Sequence, residues 1–306
     1  MELGYACINK TLSEDVKKKD VITTNRTMRK NTFQTGGIKS ASDLVLKNVI
    51  DLHKIMKWNE SKNIKFFRIS SEVFPWASEY NICDLPDFER ISHILRICGN
   101  YATEHGHRLT THPGPFNKLC SPDERVVKNT IRDLEIHGEM FDLMGFSPSQ
   151  YNKINIHVGA SYGGKFDETA YTFCKSFDML SDSVKKRLTV ENDDKPSLWS
   201  TQRLHRQVHS NIGIPIVHDL HHHLFCHDGQ SQEDALGLAV STWADVKPVV
   251  HYSQSRREEQ NDLSIKENAH SDSYWEMFNL YGHDVDVMLE CKHKEQGLFK
   301  IKEMLI

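Results

Sequence analysis

Arg187-Leu188-Thr189-Val190-Glu191 and Ile214-Pro215-Ile216-Val217-His218-Asp219 are short β-prone runs that each close on a carboxylate, with helix-starting residues at Ser200-Thr201 between them. That is one βα unit, and the unit repeats outward in both directions. Runs of the same kind occupy residues 3–8, 65–70, 108–112, 153–158, 249–252 and 286–290. In order, the eight close on Asn9, Ser70, His112, His157, Glu191, Asp219, His251 and Glu290, with His222 three residues past Asp219. Strands alternating with helical patterns predict a parallel sheet, and eight such units predict an α/β fold, a single (β/α)8 TIM barrel. In that architecture every strand's C-terminal end opens onto one face, so residues remote in sequence converge on one pocket. Six of the closing residues are His, Asp or Glu; only Ser70 and Asn9 fall outside the usual ligand types, and Asn9 can still offer an amide oxygen.

The connecting segments carry helix signals. Val45, Val49, Leu52 and Met56 repeat at helical spacing, one apolar stripe facing a sheet. Ser121-Pro122-Asp123-Glu124 combines an N-cap, a proline at the first helical position and a capping-box acid, which predicts a helix from there to a stop at Gly145. Asp167 or Glu168, then Ser200-Thr201, then Ser231 with Asp234 mark the next three starts, and the final helix is expected over about 293–304. Two loops, 9–40 and 252–270, exceed ordinary connections of ~2–6 residues and are expected to carry function.

A chain of 306 residues fits one large-cored domain over residues 1–306. Its seven cysteines include no CxxC pair, which argues against a disulfide framework or a thiolate zinc site and for a reducing, intracellular compartment. No apolar run reaches the ~18 residues of a membrane span, and Leu3-Gly4-Tyr5 enters a strand at once. Neither membrane anchorage nor secretion is expected, and a monomer is the default. Net charge of −4 does not by itself suggest nucleic acid. Yet residues 10–39 hold eight Lys or Arg, Arg29 and Lys30 among them, against Glu14, Asp15 and Asp20. A charge run is usually a solvated loop, but this one follows the first strand on the face of the ligands, where it would meet a phosphate backbone.

His, Asp and Glu without Cys select borderline-to-hard divalent ions such as Mn²⁺ or Zn²⁺, and several carboxylates suit two or three ions better than one. Bridged ions roughly 3.5–4 Å apart favour hydrolysis of a phosphodiester by in-line displacement. Any one of the eighteen histidines is by itself an ordinary core or surface residue. Ligand types at seven strand ends are not ordinary.

Several segments carry a resemblance in their order along the chain: Leu3-Gly4-Tyr5-Ala6-Cys7-Ile8-Asn9, Phe67-Arg68-Ile69-Ser70-Ser71, His112-Pro113-Gly114, Asn155-Ile156-His157-Val158-Gly159 with Tyr162-Gly163-Gly164-Lys165, Val190-Glu191-Asn192-Asp193, Asp219-Leu220-His221-His222, His251-Tyr252-Ser253, Ala269-His270-Ser271-Asp272 and Leu289-Glu290-Cys291-Lys292. Over essentially its whole length the chain resembles the UV damage endonuclease family. The resemblance implies a TIM barrel similar to endonuclease IV, holding up to three divalent ions, usually manganese, with zinc or magnesium as alternatives. It implies a DNA repair endonuclease that nicks immediately 5′ to UV photoproducts in damaged double-stranded DNA, leaving a 3′-hydroxyl and a 5′-phosphate. The implied ligands are His112, His157, Glu191, Asp219, His222, His251, His270 and Glu290, with Glu191 and Glu290 central to catalysis and Lys165 near the metals and phosphates. Tyr5 and Asn9 match residues that contact the lesion, and the loop after His112 matches a probe that fills the gap left by extruded nucleotides.

Three positions depart from the family pattern. Glu79 stands where many members have a further histidine ligand, and as a carboxylate it can still bind. The probe pair, usually Gln followed by Tyr or Phe, is Pro115-Phe116, leaving Phe116 as an apolar wedge. Val249 occupies a position where some members carry a modified lysine, so no carboxylated lysine is expected.

A nick beside a lesion requires the damaged bases to leave the stack, which costs less where stacking and pairing are already poor. Arg256, in the long loop after the seventh strand, is a further candidate DNA contact. Three rivals remain on the residues alone: an abasic-site endonuclease of endonuclease IV type, a sugar isomerase or epimerase on a similar barrel, and a lesion-binding protein without cleavage. The basic first loop has no evident use in the isomerase, and a complete ligand set has none in the last.

Overall fold

The computed structural model describes residues 1–305. Eight four-residue strands, β1 (Leu3–Ala6), β2 (Phe66–Ile69), β3 (Arg108–Thr111), β4 (Ile154–His157), β5 (Leu188–Glu191), β6 (Ile216–Asp219), β7 (Val249–Tyr252) and β8 (Asp286–Leu289), pair in parallel in chain order. β8 then pairs with β1, closing the expected barrel. The register sets His157 beside Glu191 and Asp219 beside His251, so the ligand types meet as lateral neighbours at one rim.

Seven helices cover the outside: α1 (Lys30–Ser61), α2 (Phe88–His105), α3 (Glu124–Met144), α4 (Phe166–Phe177), α5 (201–212, with a π-helical middle), α6 (Gln232–Val240) and α7 (Glu295–Met304). Val45, Val49, Leu52 and Met56 are all buried in the core beneath α1, as their spacing requires. The N-caps of α5 and α6 are Ser200 and Ser231, each accepting from a backbone N–H of the first turn. α3 starts two residues later than its Ser-Pro signal, because Asp123 takes the cap by accepting from Arg125 N while Ser121 accepts from Asp123 N. α1 begins at Lys30, ten residues before the expected end of the first loop, and its early segment is broken by Gly37, whose φ of +58° needs a residue without Cβ. The β7–β8 connection carries only the short helix Arg256–Gln260 and otherwise runs irregularly to β8.

Two apolar cores result. The larger lies between sheet and helices, and a smaller one of Ala6, Phe66, Val217, Trp243, Val249 and Met288 includes inward-facing strand residues. Gly4 makes room there, since a Cβ on it would sit 2.6 Å from the Phe66 ring. Among the described residues no helix is long and apolar enough to cross a membrane.

Candidate metal centre

Glu191 ends β5 at the centre of the rim, buried, and four histidines surround it. His112 Nε2 lies 3.1 Å from Glu191 Oε2, His251 Nδ1 3.1 Å, His157 Nε2 3.8 Å, and His222 Nδ1 3.4 Å from Oε1. His251 Nδ1 is also 3.0 Å from Glu290 Oε1, and Arg68 pairs with that same carboxylate. Two groups of donors, His112 with His157 and Asp219 with His251, both include Glu191 within metal-binding spread. One shared carboxylate between two donor groups is the arrangement of a bridged multi-ion site.

The outer ring nitrogens are held by neighbours, which turns the inner ones to the centre. His112 Nδ1 lies 3.1 Å from Pro113 O, and His270 Nδ1 3.1 Å from Glu290 O. His157 Nδ1 lies 3.2 Å from Asp193 Oδ1. His251 is reversed: Nδ1 faces the carboxylates, and Nε2 lies 3.3 Å from the Nζ of Lys153, a wholly buried lysine immediately before β4. Asp219 caps the turn Leu220–His223 by accepting from His222 N at 2.8 Å through Oδ1, while its buried Oδ2 has no hydrogen-bond partner.

The electrostatics favour cations. Burial by itself would raise the Glu191 carboxyl, but the charges of His251 and His157 and the hydrogen bond to His112 outweigh it and hold the group well below the ordinary carboxylate range. Burial pushes His112 down to about 4, although the Glu191 carboxylate draws it the other way. At His157 burial is overcome by Glu191 and Asp193, which push it up to about 10: positive charge is stabilised there. An unpartnered buried carboxylate oxygen, oriented imidazoles and a preference for positive charge fit divalent ions bound by oxygen and nitrogen.

Above the cluster is a cavity of about 490 Å³ whose walls include Arg68, His112, Pro115, His157, His222, His270 and Glu290. Phe116 points out of the rim beside it, 89% exposed. Lys17, Lys18, Lys19, Arg29 and Lys30 are all exposed.

Other expected residues lie elsewhere. Glu79 is exposed, near Ser78 Oγ, and is absent from the cavity wall. Lys165 pairs with Glu168 at 3.1 Å on the surface, while Lys118 and Lys195 line the cavity instead. Tyr5 and Asn9 are buried and bonded to each other at 2.9 Å, with Tyr5 also donating to Asn59, so neither presents an atom to solvent. Arg256 lies 3.4 Å from Asp272. Val249 belongs to the inner core, and Lys247 pairs with Asp284 at 2.8 Å. Arg68, Asp193 and Lys153 were not singled out by sequence as parts of the centre. Lys153 carries a signal, a cation four residues before the strand-end ligand type His157 and so on the same face of the strand.

The family model for UV-endonuclease UvdE matches residues 1–306. The chain belongs to that family. It is 37% identical over 311 residues to a UV-damage endonuclease of Schizosaccharomyces pombe, covering 98% of this chain and 50% of that protein. It is 30% identical over 313 residues to a UV DNA damage endonuclease of Clostridium perfringens, covering 98% and 69%. The crystal structure of SacUVDE superposes with a TM-score of 0.84 at 30% identity, covering 100% of this chain and 98% of that one. The chain thus spans about half the length of its Schizosaccharomyces relative.

Proposed function

We propose that residues 1–306 form one domain that nicks damaged double-stranded DNA immediately 5′ to UV photoproducts, leaving a 3′-hydroxyl and a 5′-phosphate. The observation that carries this reading is Glu191, a buried carboxylate shared by two donor groups, in a chain of the UV-endonuclease UvdE family. His112, His157, Glu191, Asp219, His222, His251, His270 and Glu290 would hold two or three divalent ions, manganese in the first instance. When bound, such ions supply an acidified water as nucleophile and charge for the departing oxygen. The chain's own residues do the rest. Asp193 and the carbonyls of Pro113 and Glu290 orient the imidazoles, and Lys118 and Lys195 offer positive charge to a phosphate entering the cavity. Arg68 holds Glu290 in place.

Outside the cavity, the exposed Phe116 would fill the gap where damaged nucleotides leave the duplex, and the exposed lysines and arginines after β1 would follow the phosphate backbone. The enzyme would act inside the cell, as a monomer. A nicking assay on irradiated, abasic and undamaged duplexes, with and without Mn²⁺, tests the reading. Metal-dependent nicking of irradiated duplex, 5′ to the lesion, is expected; cutting confined to abasic duplex would mark an abasic-site enzyme, and binding without cutting a silent lesion binder.

A further inference from the structure

Neighbours on their outer nitrogens fix the imidazoles of the rim, and the carboxylate they share is fixed from below. Asn155 on β4 and Thr189 on β5 are register partners, one inward step beneath His157 and Glu191, which are register partners themselves. Both are wholly buried. Asn155 Nδ2 donates to Glu191 Oε2, and Thr189 Oγ1 donates to Asn155 Oδ1 at 2.7 Å, so hydroxyl, amide and carboxylate form one chain from the barrel interior to its rim. Bulky branched apolar side chains ordinarily fill such a layer, and an amide buried there costs free energy unless its ends are paired. Here both ends are paired, and one of them on the shared carboxylate.

Charge dictates the direction of this chain. Burial opposes ionisation of Glu191, but the charges of His251 and His157 outweigh it. An ionised carboxylate only accepts, so the amide must turn its NH2 towards Glu191, which leaves its oxygen for the Thr189 hydroxyl. The consequence falls on rotation. The terminal torsion of a glutamate is broad, and twisting it would turn the oxygens away from one donor group or the other. With one lone pair of Oε2 committed to Asn155, the plane of the carboxylate is restricted, and its remaining lone pairs stay turned to His112 with His157 and to Asp219 with His251. Neither Asn155 nor Thr189 lines the cavity, so both act through Glu191 alone.

We infer that Asn155 is a positioning residue, itself held by Thr189, that locks Glu191 in the orientation in which one carboxylate serves both donor groups. The inference rests on the metal-dependent nuclease reading. Calorimetry of Mn²⁺ binding to the metal-free protein tests it, and electron paramagnetic resonance of the bound Mn²⁺ reads, through spin coupling, whether two ions share a ligand. The unmodified protein should give a coupled spectrum. Asn155→Leu should weaken Mn²⁺ binding about 10–100-fold, as loss of a ligand's supporting hydrogen bond does, and abolish the coupling. Thr189→Val, isosteric but without the hydroxyl, should weaken binding about fivefold, whereas Thr189→Ser, which keeps the hydroxyl, should bind like the unmodified protein. A merely structural role reverses that order: Val would preserve thermal stability, Ser would lose some with its missing methyl, and Mn²⁺ binding would move in neither. Should Asn155→Leu not fold, the two threonine variants decide. An uncoupled spectrum in the unmodified protein, or unchanged Mn²⁺ affinity in Thr189→Val, would overturn the inference, and the nuclease reading would stand as long as the unmodified protein nicks irradiated duplex with Mn²⁺. No Mn²⁺ binding by the unmodified protein would bring down both.

Discussion

At the floor of the barrel Arg108 and Asp286 are buried as deeply as Glu191 and Asp219 at its mouth, yet the two ends treat their charges differently. On the floor, Arg108 Nη1 meets Asp286 Oδ2 at 2.8 Å, its Nε donates to Tyr151 O, and Asp286 Oδ1 accepts from Glu2 N at 2.8 Å. The guanidinium also lies over the Tyr151 ring, 4.8 Å from its centroid. At the mouth, Asp219 Oδ2 has no hydrogen-bond partner, and ring nitrogens of His112, His157 and His251, from different strand ends, crowd onto the one carboxylate of Glu191. Burial alone therefore does not mark a functional charge. What separates the two ends is coordination: a structural pair is complete within the protein, and a binding site is left incomplete.

The sharpest way to break this contrast is to alter each end in turn. Glu191→Gln at the mouth should lower nicking by several orders of magnitude, because it removes the charge common to both donor groups, while the melting temperature of the metal-free protein changes little. Excess chelator should do the same to the unmodified protein, and Mn²⁺ should restore it. Unchanged turnover in Glu191→Gln would dissolve the distinction. Asp286→Asn on the floor should do the reverse. It leaves Arg108 buried with reduced compensation, and destabilisation of about 3–5 kcal/mol is expected in denaturant titration, with kcat preserved in the fraction still folded.

The loops around the mouth extend the same incompleteness to the surface and sharpen it. Neutralising Lys17, Lys18, Lys19, Arg29 and Lys30 together should weaken binding to damaged and undamaged duplex alike and make the salt dependence shallower, as lost phosphate contacts do. A fall confined to damaged DNA at constant salt slope would assign these residues to the lesion instead. Phe116→Ala should have a smaller effect, about 1–3 kcal/mol of affinity for lesion duplex, and should spare a lesion in single-stranded DNA. Equal losses on both substrates would refute the wedge. Pro115→Gln, on the cavity wall, is expected to be neutral or mildly favourable in the same binding assay.

Much of this protein follows from its amino-acid order. The strands fall within two residues of the β-prone runs, the caps at Ser200 and Ser231 are where the turn chemistry puts them, and the barrel closes as its βα repeat requires. Strand-end ligand types converge because parallel topology sends all those ends to one face, so listing them needs no coordinates. The exceptions are instructive. Helix starts at Lys30, inside what reads as loop, and breaks at Gly37, while Glu79 and Lys165 end on the surface and Arg256 beside Asp272.

Only the tertiary structure decides which atoms meet. Strand register makes Glu191 the shared carboxylate, by setting it beside His157 on one strand pair while Asp219 meets His251 on another. Side-chain competition then turns Tyr5 and Asn9 onto each other and reverses His251 against Lys153. Period, caps and turns are local properties that a few neighbouring residues settle. Register, orientation and the pairing of buried polar groups depend on partners up to hundreds of residues away, and those are brought together only when the barrel closes.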